Sequence, residues 1–156
     1  MVLVTLGTQK QPFTRILDYI ENSNINEEII VQSGHTKYKS KKMQIFSFID
    51  YSEMNEYIKK ADLIITHGGT GSIITPLKLG KKVIACARQE IYGEHVDNHQ
   101  NELVNIFADE GFILKIEKDN LDEIYLKSKK FKPKKYKSNN EKFKKNLMLE
   151  IEKKER

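Results

Sequence analysis

The sequence predicts a single doubly wound, parallel α/β sheet with helices on both faces. Three observations lead there. Short runs rich in Val and Ile alternate with helix-period segments, the later runs lack the polar alternation of a sheet with one wet face, and glycines punctuate the junctions. Residues 1–6 read as a strand, and 13–22 as a helix with Phe13, Ile16, Leu17 and Ile20 on one face. Residues 28–32 and 43–48 read as strands, separated by a polar, Lys-rich link over 34–42. Ser52 is expected to cap a helix running to about Lys60 that presents Met54, Tyr57, Ile58 and Ala61 together. Residues 63–66 and 82–87 read as strands covered on both faces, and the helix between them should end at Gly80 in a left-handed cap. Pro76 would clash with the Ser72 carbonyl in a regular helix, which predicts a distorted first turn or a start near Thr75. Residues 96–110 read as a helix with Val96, Leu103, Val104 and Phe107 inward, stopped by Gly111. A strand over 112–116, a helix over 119–127, a linker around Pro133 and an amphipathic helix over 139–154 complete the reading. In domain terms, 1–128 form the folded unit, 129–138 a basic linker and 139–156 a C-terminal helix with Phe143, Leu147 and Ile151 on one stripe.

Length allows one domain with a real core but not two full lobes, since the chain has 156 residues. No run approaches the roughly 20 apolar residues of a membrane span, and the first residues lack a basic leader, so a cytosolic protein is expected. The single cysteine, Cys86, excludes an internal disulfide framework and reads as a small filler in a buried strand. The net charge of +5 is uneven: residues 127–156 carry 13 Lys and Arg against 4 Asp and Glu, leaving the rest acidic. A basic tail on an acidic body suits attachment to anionic lipid or an acidic partner face, at about 1 kcal/mol per basic residue near a charged membrane. A solvated end is the plainer reading. Residues 131–136 interleave lysines with aromatics, but the acidic body and the lack of a reader motif give no nucleic-acid partner.

Open α/β sheets bind ligands beyond the carboxyl ends of their strands, where the strand order reverses. That rule singles out the loops after Leu6, Thr66 and Ala87. The run Thr66-His67-Gly68-Gly69-Thr70-Gly71-Ser72 follows a strand and opens a helix, so its amides and hydroxyls suit a diphosphate. It is neither a Walker loop nor a dinucleotide fingerprint, and a plain tight turn is the alternative. In the loop after Ala87, Arg88 could neutralise a phosphate, and Asp97, Gln100 and Asn101, taken as one exposed helix side, could grip sugar hydroxyls. Asp97 favouring a helix dipole, with Asn98 and His99 merely on the surface, is the plainer reading. His95 and His99 stand at metal-ligand spacing, but no His-Glu-x-x-His motif and no Asp-x-Asp pair appear, so neither a metal nor any other cofactor is expected. Leaving-group charge would then fall to the helix end and to Arg88 or His95, the two candidate catalytic residues. Gly7 and Thr8 offer a turn and backbone amides to the same ligand. The reading requires one pocket joining the 66–72 junction to the 94–100 segment.

Together these loops resemble the C-terminal domain of glycosyltransferase family 28, over about residues 1–116. Most of the likeness lies in THGGTGSI…LGKKVIACAR…EHVDNHQNELV, with LGTQKQPFTR at the start. The short members are similar: the PssE-like subunits of bacterial capsule and exopolysaccharide transferases, and the catalytic subunit of the eukaryotic split transferase acting on dolichol-linked sugar. The resemblance implies the Rossmann-like, donor-binding C-terminal lobe of a GT-B enzyme. It implies UDP-sugar binding at Gly68, Gly69, Thr70, Gly71 and Ser72, aided by Gly7, Thr8, His67 and Arg88, with Glu94, His95, Asp97, Asn98 and Gln100 near the sugar or ribose. It implies inverting, metal-independent transfer from UDP-galactose or UDP-GlcNAc to a lipid-linked acceptor in surface-polysaccharide synthesis. The missing acceptor lobe, and with it the general base, would come from a membrane-anchored, PssD-like subunit holding this chain at the inner membrane face. In the single-chain relative MurG, a carboxylate five residues before the closing glycine holds the ribose; Thr75 stands there in this chain. A non-catalytic accessory subunit that stabilises or activates a partner transferase is the alternative.

Overall fold

A computed structural model describes residues 1–137 and 147–149. Six parallel strands lie in the order β3-β2-β1-β4-β5-β6. They are β1 (Val2–Thr5), β2 (Ile29–Gln32), β3 (Gln44–Phe46), β4 (Leu63–His67), β5 (Lys82–Cys86) and β6 (Leu114–Lys115). Their connections hold α1 (Thr14–Glu21), α2 (Tyr51–Lys60), α3 (Thr70–Lys78) and α4 (His99–Asp109), and α5 (Leu121–Lys130) follows β6. Because successive strand residues point to opposite faces, the apolar runs divide into two cores. Val2, Val4, Ile65 and Ile84 pack with Ile16, Leu17 and Ile20 of α1 and with Leu121 and Ile124 of α5. Leu3, Ile64, Val83 and Ala85 pack against Ile58 of α2, Ile73 and Leu77 of α3, and Leu103, Val104 and Phe107 of α4. The doubly wound parallel sheet is the one expected.

Local details differ from the expectation in four places. Asp50, not Ser52, caps α2, and its side chain accepts the Glu53 amide at 2.8 Å. Helix α3 begins at Thr70 and runs through Pro76 rather than starting near Thr75. The carbonyl that Pro76 deprives of a partner belongs to Ser72, in the first turn. Helix α4 begins at His99, so Val96 is 70 % exposed instead of inward. The boundary drawn at residue 128 falls inside α5, and residues 131–137 run on as a non-helical strap. There Lys134 N–H donates to the Gly111 carbonyl and Tyr136 packs edge-on to Phe112. Gly80 and Gly111 do end their helices with positive φ, at 72° and 83°. Of the C-terminal stripe, Leu147 is helical and buried in the second core, while Phe143 and Ile151 lie outside the described residues.

Candidate functional site

β1 and β4 are neighbours at the centre of the sheet, and their outgoing helices leave to opposite faces. The strand order therefore reverses between them, and the loops that begin at Gly7 and Gly68 flank the crevice. His67, the last residue of β4, fills that crevice. A Cβ added at Gly7 would come within 2.6 Å of its Nε2, and one at Gly69 within 2.3 Å of its Cε1. Only glycine fits on either side of the ring, and Gly7 also turns the chain at φ 76°. Gly68 is bare for a different reason: a Cβ there would meet Gln100 Cβ at 2.8 Å and Val104 Cγ2 at 2.9 Å on α4.

Both ring nitrogens of His67 are engaged. Nδ1 accepts the Gly69 amide at 3.0 Å and faces the Gln100 side-chain Nε2 at 3.2 Å; Nε2 lies 2.9 Å from Ser72 Oγ. Two donors on Nδ1 assign the ring proton to Nε2. Burial, and then the charge of Arg88, push the imidazole pKa down to about 4, so it is neutral at physiological pH. Gln100 completes the mesh, because its Oε1 accepts the amides of Gly68 at 2.9 Å and Arg88 at 3.1 Å.

At the start of α3 the picture opens. Gly69 is the N-cap and supplies no side-chain cap, and the first intrahelical bond is Ile73 N–H to the Gly69 carbonyl. The amides of Thr70, Gly71 and Ser72 therefore have no acceptor within the helix. A Cβ at Gly71 would meet nothing within 4 Å. Beside these amides lies a cleft of about 170 Å³ between α2 and α3, walled by Gln32, Tyr51, Met54, Asn55, Thr75 and Pro76, with Gly71 and Ser72 on its edge. Sequence reasoning missed Gln32 and Tyr51. Gln32 ties Gly7 to the loop after β3, accepting the Gly7 amide at 3.2 Å and donating to the Gly7 and Ser47 carbonyls at 3.1 and 3.3 Å. A polar residue closing an otherwise apolar strand was the signal available.

The loop after β5 is closed upon itself. Arg88 does not project toward a ligand: it is 1 % exposed, with Nη1 donating to the Gln11 and Glu94 carbonyls and Nη2 to the Leu6 carbonyl. Its guanidinium lies 4.9 Å from the Phe13 ring centre. Burial pushes its pKa down to about 10, which leaves it charged at neutral pH. Glu94 is likewise turned inward, gripping Arg15 through Nε–Oε2 at 3.0 Å and Nη2–Oε1 at 2.9 Å and accepting the Gln89 amide. Burial works against the Arg15 charge, but the hydrogen bonds with Glu94 and Tyr19 and the nearby negative charge together outweigh it, and the net shift is upward. Gln100, expected on an exposed side, is buried because it stands three and four residues before Leu103 and Val104, on the stripe that α4 turns to the core. Asp97 and Asn98 are exposed but engaged locally, Asp97 accepting the His99 amide and Asn98 the Glu90 amide. His95 Nδ1 faces Asp97 at 3.2 Å. Among the described residues, no three His, Cys, Asp or Glu side chains converge on one point. Thr8 is exposed beyond Gly7. The 66–72 and 94–100 segments thus touch through Gln100, but the cleft beside Gly71 does not extend to Arg88 or to residues 94–100. Where one pocket was expected to join them, the described residues meet through the packed Gln100 side chain.

The sequence model of the glycosyltransferase family 28 C-terminal domain matches residues 1–153. The chain belongs to this family. Its relatives include the UDP-N-acetylglucosamine transferase subunit ALG13 of Candida albicans, 39 % identical over 75 residues, covering 48 % of this chain and 24 % of that protein. The Saccharomyces cerevisiae protein of the same name is 33 % identical over 73 residues, covering 46 % and 34 %. The matched segment thus spans a quarter to a third of these two relatives. Among solved structures, the NMR structure of ALG13 superposes with a TM-score of 0.63 at 19 % identity, covering 94 % of each chain. The glycosyltransferase SnogD from Streptomyces nogalater gives 0.57 at 15 % identity, covering 97 % of this chain and 39 % of its own. These likenesses establish the fold of this family-28 domain as that of a GT-B C-terminal lobe. The fungal relatives are ALG13 subunits, and none of these matches is a PssE-like capsule or exopolysaccharide subunit, so the narrower bacterial likeness gains no support. Among the described residues, no helix is long and apolar enough to cross a membrane.

Proposed function

We propose that this chain is a UDP-sugar transferase subunit that receives the donor diphosphate at the start of α3 and acts together with a second protein. One observation carries the reading: three amides without helical acceptors meet an empty Gly71 position and a cleft at the strand-order reversal. The nucleoside half of the donor then lies toward Gln32, Asn55 and Thr75. Thr75 offers the ribose a hydroxyl in place of the carboxylate of MurG. The relatives' name makes UDP-GlcNAc the first donor to try, ahead of UDP-galactose. A lipid-linked acceptor, a membrane-anchored partner supplying the general base, and a place at the inner membrane face complete the proposal. Cell-surface polysaccharide is the bacterial version of that product. Calorimetric titration with UDP tests the site, and absence of saturable binding, with the partner present or absent, refutes it.

A second reading has its own support. Arg88 and Glu94 are engaged inside the fold, the relatives are named as subunits, and His67, the imidazole beside the free amides, is engaged at both ring nitrogens. The chain would then be an accessory subunit that stabilises or activates its partner. Turnover by the reconstituted pair separates the two: a Gly71→Val variant that retains full activity favours the accessory role, and loss of turnover favours the donor site.

A further inference from the structure

His67 occupies the place where a ligand-gripping side chain is expected, yet its ring faces no open space. It is wedged between Gly7 and Gly69 and closes a directional chain of hydrogen bonds. Gln100 Oε1 takes the Gly68 and Arg88 amides, which fixes its Nε2 as the end facing His67 Nδ1. The Gly69 amide donates to the same Nδ1, and Nε2 then points at Ser72 Oγ, 2.9 Å away.

A serine hydroxyl has one proton to donate and two lone pairs. In the first turn of a helix it ordinarily turns that proton back toward a nearby carbonyl. Accepting a hydrogen bond from His67 Nε2–H occupies one lone pair and orients the group. Ser72 also borders the cleft beside the free amides of α3.

We propose that His67 is a positioning residue: as its Nε2–H tautomer it donates to Ser72 Oγ and turns the Ser72 hydroxyl proton outward, onto a diphosphate oxygen. This rests on the donor-site reading above and changes the role of His67 within it, from a contact with the ligand to control of the group that makes the contact. A neutral imidazole is what such a role requires, and burial keeps it neutral down to about pH 4. The hydrogen bond that results is charge-assisted, so its loss is measurable.

The test combines a spectrum with a double-mutant cycle on the full chain. Long-range nitrogen–proton spectra of histidine-labelled protein should show His67 as the neutral Nε2–H tautomer from pH 5 to pH 8. An Nδ1–H or doubly protonated ring over that range overturns the proposal, and this readout needs no variant to fold. UDP affinity is then measured calorimetrically for Ser72→Ala, His67→Asn, the double variant and His67→Gln, each checked for folding by urea denaturation. His67→Asn keeps an acceptor near Nδ1 and removes the Nε2 donor; His67→Gln restores a donor near Nε2. Each of Ser72→Ala and His67→Asn should weaken UDP about tenfold, the double variant also about tenfold, and His67→Gln should recover most of the loss. A double variant about a hundredfold weaker shows the two residues acting independently and overturns the proposal alone. Failure of the wild-type protein to bind UDP overturns the donor-site reading and this proposal together.

Discussion

The loops after β4 and β5 look alike in sequence, each a polar stretch leading from a buried strand to a helix, and they do opposite things. After β5, both terminal nitrogens of Arg88 and both carboxylate oxygens of Glu94 are held by the chain itself, although Arg88 Nε is buried without a partner, and the loop is a clamp that holds Leu6, Gln11 and Arg15 in place. After β4, the His67 ring and the Gly68 amide are satisfied, but the amides of Thr70, Gly71 and Ser72 have no acceptor within the helix. On the proposed reading, charge in a loop at the ligand end of a sheet is a poor guide to ligand binding. Unsatisfied backbone donors beside empty space are a better one.

The sharpest way to break this contrast is to cut the clamp. Glu94→Ala leaves the Arg15 guanidinium without its buried carboxylate, and breaking a buried pair costs about 3–5 kcal/mol. Urea denaturation should show a loss of that size, while UDP affinity in the folded fraction changes little. A large affinity loss with little destabilisation would instead place Glu94 at the ligand. Next, Gly69→Val drives a Cβ into the His67 ring, which lies 2.3 Å from that position, and should weaken UDP more than tenfold by calorimetry.

Acid should act on the β4 loop through His67. Its folded pKa of about 4 lies below the ordinary 6.5, so the unfolded chain binds the proton more readily in between. The stability contribution is complete above pH 6.5 and is lost as pH falls toward 4. Thermal melts over that range should show the decline, and His67→Asn should flatten it. The smallest effect sharpens the contrast most. Gly71→Ala places a methyl group where nothing stands within 4 Å, so the free protein should gain about 0.5–1 kcal/mol of stability from better helix propensity. UDP affinity should nevertheless fall severalfold. Unchanged affinity would mean that no ligand passes over that residue.

The sheet was legible because its central strands are runs of apolar residues that the two cores need on both faces, as with Leu63 to Ile65. The start of α4 was not. Residues 96–98 stand outside it, where Asp97 accepts the His99 amide and Asn98 the Glu90 amide, and Glu94 before them is fixed by Arg15, 79 residues away in sequence, in an ion pair that exists only in the folded chain. The same applies to Arg88 and Gln100, whose residue types announce hydrogen bonding but not its direction. The glycines at 68, 69 and 71 were legible as a group, and the structure separates them: two make room for protein side chains, and the third makes room for nothing in the chain.

The central claim, that the β4 loop receives a donor and the β5 loop only supports it, is tested most directly by titrating UDP into nitrogen-labelled protein and following the amide resonances. Saturable shifts should concentrate at Thr70, Gly71, Ser72 and Thr75 and leave Arg88, Gln89 and Glu94 nearly unmoved. Shifts centred on residues 88–95, or none at saturating UDP, would contradict it.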